Sequence, residues 1–109
     1  MKMIRATMYW ERLRLEVEGH GEGEYGKDLV CCGASMLVQA LDGTLAEAEM
    51  RGRCECKTRN DPGESGKAII WANPTMGSLN EIKAYFRMCL KGMKMLQEQY
   101  PGKVSVREL

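Results

Sequence analysis

The chain has almost no net charge, a single histidine and no long uncharged apolar run. Sixteen basic residues stand against fifteen acidic ones, which leaves a net charge of +1 over 109 residues. Nucleic-acid-binding domains usually carry a basic excess, so nucleic-acid binding is not expected from the composition. Charges at Lys2, Arg5, Glu11 and Arg12 interrupt the apolar N-terminus, so we find no signal peptide. Because we also find no apolar run of membrane-spanning length, we expect a cytoplasmic protein with no membrane partner.

The cysteine count is odd, which does not fit a secreted disulfide scaffold. Reduced thiols that serve as small apolar residues in a reducing cytosol fit better. The five are Cys31, Cys32, Cys54, Cys56 and Cys89. Cys54 and Cys56 would lie on one face of a strand, but their spacing is not the C-x₂-C of common zinc sites. We therefore predict no metal and no cofactor.

Alternating and helical hydrophobic patterns follow one another along the chain in the order ββαββαβ. With 44% apolar residues and no repeat, low-complexity tract or linker, residues 1–109 should form a single domain. The pattern predicts an α+β fold with two layers, a largely antiparallel sheet and two helices on one face. Strands are predicted over residues 3–10, 12–18, 50–57, 68–72 and around 104–106. Helices are predicted over residues 29–49 and from Ser78 to the stop at Pro101-Gly102.

The two helices have predicted core faces. In the first helix this face comprises Leu29, Gly33, Met36, Leu37, Ala40 and Leu41, and in the second it comprises Ile82, Phe86, Cys89, Leu90, Met93 and Leu96. Ser78 and Glu81 predict a capping box. Opposite the second core face lies a basic stripe, typical of a solvated helix surface, with Lys83, Arg87, Lys91 and Lys94. The alternative is an RNA- or ribosome-facing surface, which Arg51, Arg53, Lys57 and Arg59 could extend.

A glycine-rich segment, GHGEGEYGK, breaks all periodicity between the second strand and the first helix. Asp28 after it is a good N-cap, which places Cys31 in the first helical turn. The unpaired N–H groups and the dipole of a helix start favour an anion. A thiol at such a position can have its pKa lowered by about a unit or more. The same N–H groups could hold the oxyanion of a tetrahedral intermediate.

His20 is the available proton acceptor, because it is the only histidine in the chain. It stands where the second strand enters the loop, and the loop ends at the helix that carries Cys31. Taken by itself, a lone histidine is more often solvated than catalytic, and a helical cysteine is more often packed in the core than reactive. Their shared context favours a nucleophile and general base pair. Imidazole can accept the thiol proton and later protonate a leaving amine.

Three neighbouring residues have two readings each. Ser35, four residues after Cys31, either hydrogen-bonds near the thiolate or substrate or bonds to its own helix. Asp28 either caps the helix or orients His20. Tyr25 either contacts substrate from the loop or is an exposed ring.

These residues resemble the motif of the bacterial ribosomal-processing cysteine protease Prp family. The matching runs are Gly19-His20, Glu24-Tyr25-Gly26, Asp28-Leu29-Val30-Cys31 and Gly33-Ala34-Ser35. The resemblance implies a Cys31–His20 dyad, a homodimer, and a loop that orders on substrate binding, with Gly19, Gly21, Gly23, Tyr25 and Gly26 in it. It also implies removal of a short N-terminal extension, after an aromatic residue, from large-subunit ribosomal protein number twenty-seven.

The chain departs from the family pattern at three points. Cys32 stands where the family usually has Ala, Gly21 replaces a usual Ala, and the loop is a residue shorter. Because consecutive helical residues are turned by about 100°, Cys31 and Cys32 cannot both face His20, and the family register favours Cys31. Two alternative functions remain open. One is the same chemistry on a phage virion protein, and the other is a non-catalytic ribosome- or RNA-associated module.

Overall fold

A computed structural model describes residues 3–19, 29–61 and 66–109. The strands are β1 (Ile4–Tyr9), β2 (Arg14–Glu18), β3 (Cys54–Asp61), β4 (Lys67–Pro74) and β5 (Val104–Glu108), and the helices are α1 (Leu29–Met50) and α2 (Leu79–Gln99). The sheet order is β3-β4-β2-β1-β5. The β1–β5 pair is parallel and the other pairs are antiparallel. The predicted α+β class and the order ββαββαβ are confirmed.

Alternation along the central strands turns every second side chain into the core. The register places Met8 opposite Leu15 and Leu15 opposite Ile70, so the buried residues of three strands form one continuous row. These side chains are fully buried beneath the helices. Burial of a large aliphatic side chain contributes about 1.5–3 kcal/mol, which fixes the register because a one-residue slip would expose the whole row.

The buried face of α1 differs from the predicted one. Leu29 and Met36 are 74% and 64% exposed, and Ala40 is also exposed. The buried residues are Val30, Cys31, Ala34, Val38, Leu41, Leu45 and Ala48. The prediction was wrong for the three exposed residues, whereas Leu41 is buried and Leu37 packs against the core. Because α1 is apolar on several sides, periodicity did not define one stripe. Contact with the sheet selects the face made of small and branched residues.

By length and composition alone, α1 could cross a membrane. A search of the sequence for uninterrupted apolar runs did not find this helix. Its apolar stretches are interrupted by small polar residues, although it carries few charges. The inner face of α1 packs into the core formed with the sheet and α2. One side of α1 is therefore buried, while the other side, with Leu29 and Met36, is exposed.

The predicted core face of α2 is confirmed, with Ile82, Phe86, Cys89, Leu90 and Met93 buried and Leu96 packed against them. The predicted capping box is wrong. Ser78 makes no side-chain cap bond, and its Oγ lies 3.2 Å from Thr75 Oγ1 instead. The Glu81 carboxylate accepts hydrogen bonds from Tyr85 Oη at 2.5 Å and Arg51 Nη2 at 3.1 Å. Glu81 thus ties the start of α2 to the turn after α1.

The third strand begins later and ends later than predicted. Helix α1 continues through Asp42-Gly43 to Met50, and Gly52, with a φ of +75°, turns the chain before Cys54. Pairing with β4 then extends β3 to Asp61. The outer edge of β3 is covered by α1, since the Cys56 N–H donates to Glu49 Oε2 at 2.8 Å and Thr58 donates to Asp42. Such cover limits edge-to-edge aggregation.

Two glycines let α1 and α2 interlock. A Cβ at Gly92 of α2 would lie 2.4 Å from Leu37 Cδ2 of α1, and a Cβ at Gly33 of α1 would lie 3.1 Å from Leu96 Cδ2 of α2. Each helix therefore places a leucine over a glycine of the other. This reciprocal contact fixes how far α1 slides along α2.

The contact at Gly92 can be tested by a pair of helical substitutions. We expect Gly92→Ala to be less stable than Gly43→Ala by about 1–3 kcal/mol, the usual cost of overpacking. Gly43 is the matched control, because a Cβ there meets nothing within 4 Å while the gain in helix propensity is the same. Urea unfolding of both variants and wild type measures the difference. Equal stability of the two variants would contradict the interlock.

Candidate active site

The ends of five secondary-structure elements lie at one end of the two-layer structure. Ile4, which starts β1, pairs with Val104 at the start of β5, and Arg5 pairs with Glu18 at the end of β2. Gly33, near the start of α1, packs against Leu96 near the end of α2. The described residues on either side of segment 20–28, Gly19 and Leu29, therefore both lie at this end. This arrangement favours the expected approach of His20 to Cys31.

Gly19 makes the sharp exit from β2. Its φ is +91°, and a Cβ on it would lie 2.6 Å from the carbonyl oxygen of Met3. An L-residue would be strained by this φ and would also collide with the Met3 carbonyl, immediately before β1. Gly19 is thus required by geometry, and it fixes the position from which the chain continues into residue 20.

Cys31 lies on the inner face of α1 and is 9% exposed, whereas Cys32 is exposed to solvent. The turn of about 100° between consecutive helical residues separates the two sulfurs. Val30 and Ala34, on either side of Cys31 in the same face, are fully buried. The structure therefore distinguishes the two adjacent cysteines, with one held at the core boundary and one outside.

The first turns of α1 are held from two directions. Val30 and Ala34 pack into the core formed with the sheet, and Gly33 receives Leu96 from α2. Ser35, half-buried, follows Cys31 by four residues and lies on the same side of the helix. A reacting group on this part of α1 is therefore held by packing and needs little further ordering.

Several expected site residues lie outside the described residues. They are His20, Gly21, Gly23, Tyr25, Gly26 and Asp28. The pairing of His20 with Cys31 and the N-cap role of Asp28 consequently stay predictions. Of the expected site residues, Gly19, Cys31 and Ser35 are described, and all three lie at the same end of the structure.

The cysteines of the core are poor nucleophiles. Burial raises the pKa of Cys89 to about 12, and its Sγ lies 3.7 Å from the Leu37 carbonyl oxygen. Burial, with the Glu49 carboxylate nearby, raises the pKa of Cys56 to about 11. The pKa of Cys54 is raised by burial and by the same carboxylate. These three thiols stay protonated at neutral pH and act as packing groups.

No cluster of three or more potential metal-ligating side chains occurs within ranges 3–19, 29–61 and 66–109. All five cysteines fall within these ranges, and none of them is in a disulfide.

Comparisons with known proteins show which family and which fold this chain shares. The family model described as "Cysteine protease Prp" matches residues 3–105. A Streptococcus mutans protein, SMU.848, has a crystal structure that aligns with a TM-score of 0.77 at 27% identity, over 99% of this chain and 98% of that chain. The ribosomal processing protease Prp from S. aureus, solved with a substrate peptide, aligns with a TM-score of 0.68 at 20% identity over 100% of both chains.

A second S. aureus Prp structure, solved with a covalently linked product peptide, aligns with a TM-score of 0.71 at 22% identity over 100% of both chains. The S. aureus structures show that the fold is shared. A search of curated proteins gave no match. The class is that of the cysteine proteases, as the family match over nearly the whole chain shows. Within that class, the chain belongs to the Prp family.

Sequence reasoning missed the close contacts that two glycines of the motif make. It treated Gly19 as a permissive loop residue, whereas the structure shows a close approach to the Met3 carbonyl. It placed Gly33 on a core face without its contact to Leu96. Positive φ and interhelical contact both depend on residues far away in sequence, so local pattern could not reveal them.

We expect Gly19→Ala to reduce stability and peptide hydrolysis together. The positive φ alone costs about 1 kcal/mol or more, and the collision with Met3 adds to it and displaces residue 20. Gly77→Ala is the matched control, because Gly77 has a φ of +87° but open space at its Cβ. Urea unfolding should show a larger loss for Gly19→Ala, and hydrolysis should fall at least about tenfold only there. Equal losses in both variants would contradict the role of the Met3 contact.

Thiol labelling should separate exposed from packed cysteines. In the folded protein at pH 8, Cys32 should react with iodoacetamide much faster than Cys56 or Cys89, since the raised pKa values keep the latter two protonated. The raised pKa of Cys89 also makes the stability of the fold depend on pH. The stabilisation from its protonated thiol is complete below the unfolded pKa of about 9, and it is lost as the pH rises from there towards about 12. Peptide mapping by mass spectrometry measures the rates, with the urea-unfolded chain as control. Equal rates for Cys32 and Cys89 in the folded chain would contradict this burial.

Proposed function

We propose that this protein is an endopeptidase that removes a short N-terminal extension from large-subunit ribosomal protein number twenty-seven. The observation that carries the proposal is Cys31 in the packed first turns of α1, in a chain whose match to the cysteine protease family spans residues 3–105. The substrate assignment draws support from the S. aureus relative, whose structure is described as that of a ribosomal processing protease with a substrate peptide.

In the proposed reaction, Cys31 is the nucleophile and His20 the general base. The His20 imidazole takes the thiol proton, and the Cys31 sulfur attacks the carbonyl carbon of the scissile peptide bond. The electron pair of the C=O bond moves to oxygen, where N–H groups at the start of α1 stabilise the negative charge. When the carbonyl re-forms, the C–N bond breaks and imidazolium protonates the leaving amine.

The remaining thioester is cleared by water. His20, neutral again, takes a proton from water as the oxygen attacks the thioester carbon, and the C–S bond then breaks. Cys31 regains its proton and the N-terminal peptide leaves as a carboxylate. These steps use no metal or organic cofactor.

The neighbouring residues have supporting parts in this proposal. Asp28 caps α1 and so holds the N–H groups that face the oxyanion. Ser35, one turn after Cys31 on the same side, can donate a hydrogen bond towards the substrate. The loop that follows Gly19, with Gly21, Gly23, Tyr25 and Gly26, folds over the peptide.

The aromatic residue before the cleaved bond requires an apolar subsite beside Cys31. An apolar cavity of about 150 Å³ does lie between α1 and α2, lined by Leu37, Ala40, Leu41, Thr44, Tyr85, Met88 and Cys89. At 1.5 Å per residue, however, even Leu37, the α1 lining residue nearest to Cys31, lies about 9 Å along the helix from it. The cavity is therefore too far along α1 to receive the side chain next to the cleaved bond.

We further propose that the enzyme acts in the cytoplasm as a homodimer. The family resemblance supports the dimer. Reduced thiols in the packed core support a reducing compartment.

Cleavage of the extended ribosomal protein tests the proposed dyad. Wild type should release the N-terminal extension, while Cys31→Ala and His20→Ala should lose at least about 10³-fold in rate, because each removes a member of the reacting pair. Cys32→Ala is the matched control and should keep its rate within about threefold. Mass spectrometry of the products gives both the rate and the cleaved bond.

Two outcomes would overturn the proposal. If Cys32→Ala is inactive and Cys31→Ala is active, the nucleophile is the exposed cysteine. If wild type leaves the ribosomal protein intact but cleaves a virion protein with a similar leader, the chemistry stands and the substrate is wrong.

A further inference from the structure

Both helices cover the same face of the sheet, and the opposite face is left open. The open sheet face consists of the outward-pointing side chains Arg5, Thr7, Tyr9, Arg14, Glu16, Glu18, Glu55, Lys57, Arg59, Lys67, Ile69, Trp71, Asn73, Ser105 and Arg107. All of them are exposed or half-buried. Their partners in alternation, such as Leu15 and Ile70, are the buried core residues.

The open sheet face is basic although the chain is nearly neutral. Among the side chains of this face that the structure describes, six are positive, namely Arg5, Arg14, Lys57, Arg59, Lys67 and Arg107, and three are negative, namely Glu16, Glu18 and Glu55. These described side chains therefore have a net charge of +3, compared with +1 for the whole chain. Composition alone argued against nucleic-acid binding, because it averages over faces that the fold separates.

Glu16, the acidic residue in the middle of the open sheet face, is ion-paired with two cationic neighbours. Its carboxylate lies 2.8 Å from Arg14 Nε and 2.9 Å from Lys67 Nζ, and its side chain is 17% exposed. The positive groups at the two sheet edges, Lys57 and Arg59 on β3 and Arg107 on β5, are exposed. An incoming anion would meet these edge cations first.

Aromatic and cationic side chains form a row across four neighbouring strands. The register places Lys57 beside Trp71, Trp71 beside Arg14, and Arg14 beside Tyr9. The Arg14 guanidinium carbon lies 6.0 Å from the centre of the Trp71 ring. The next row of the same face begins with Arg59 and ends with Arg107, about 7 Å away along the strands.

These features fit an extended single-stranded nucleic acid better than another protein. Unpaired bases stack on aromatic rings and guanidinium planes displayed by an open sheet, while edge cations hold the phosphates. A second copy of this chain would bring two like-charged faces together, which costs free energy. A double helix would hide the base faces that Trp71 and Tyr9 could stack on.

We propose that the open sheet face binds single-stranded RNA, with bases stacked on Trp71, Arg14 and Tyr9 and with phosphates bound by Lys57, Arg59 and Arg107. This surface lies on the other side of the sheet from α1 and Cys31, so RNA and peptide can be bound together. The binding does not depend on the proposed peptidase reaction. If both hold, the surface keeps the protease on RNA that surrounds a ribosomal substrate, a consequence that rests on the proposed function.

Fluorescence anisotropy with a labelled 12-nucleotide single-stranded RNA tests the surface on the full chain. With three phosphate contacts, log K should fall against log salt with a slope of about −2. The double variant Lys57→Glu/Arg59→Glu should bind at least tenfold more weakly at 50 mM salt. The matched control Arg87→Glu/Lys91→Glu makes the same charge change on the exposed side of α2 and should stay within threefold. Circular dichroism and peptide hydrolysis verify that both variants are folded.

Stacking has a separate readout, because the chain has two tryptophans, Trp10 and Trp71. In Trp10→Phe the remaining fluorescence comes from Trp71, and RNA should quench it. In Trp71→Phe the remaining fluorescence comes from Trp10 on the other side of the fold, and RNA should leave it unchanged. Cys31→Ala should bind RNA like wild type, which separates this proposal from the peptidase proposal.

Four results would overturn the RNA proposal. Wild type without measurable RNA binding at 50 mM salt is one, and binding that the α2 variant loses but the β3 variant keeps is another. Binding without quenching of Trp71 would place RNA elsewhere. A β3 variant that binds RNA normally but changes the molar mass in size-exclusion chromatography with light scattering would assign the open sheet face to a contact between copies.

Discussion

The reciprocal contact of two leucines with two glycines between α1 and α2 is the constraint on which the rest of the structure depends. Leu37 lies over Gly92 and Leu96 lies over Gly33, so neither helix can slide without a collision. Both leucines are partly buried, so a shift of either helix requires a leucine side chain to change its position against the core. The contact near Gly33 lies half a turn from Cys31, and so the packing that joins the helices also positions the proposed nucleophile.

The same end of the structure is fixed a second time through the strands. The Ile4 N–H donates to the Lys103 carbonyl at 2.9 Å, which joins the start of β1 to the turn before β5. Gly19 at the end of β2 lies against Met3, immediately before Ile4. The helix side and the strand side of the site are therefore both built on close backbone approaches. In a Cys–His pair this matters, because proton transfer requires hydrogen-bond reach between groups that come from different elements.

The two sides of the sheet have different physical tasks. The inner side buries apolar rows and supports α1, while the outer side collects cations and two aromatic rings in register. The edges differ as well. Asp42 and Glu49 of α1 bond to side-chain and backbone groups of β3 and cover that edge, and Lys94 of α2 binds Glu108 of β5 at 2.6 Å at the other. The helices thus cover part of both sheet edges, and the broad outer face of the sheet is left uncovered.

The sequence by itself determined the element order and the class of fold, because the alternation in β2 and the apolar stripe of α2 are local and unambiguous. It also pointed to Cys31 through its place at a helix start and to His20 as the only imidazole. The inner face of α1 was decided by tertiary structure, since the helix is apolar on several sides and contact with the sheet makes the choice. The requirement for Gly19, the contact between Gly33 and Leu96 and the concentration of positive charge on one face were decided in the same way. Each of these features arises between residues that are distant along the chain, so a local sequence pattern does not show it.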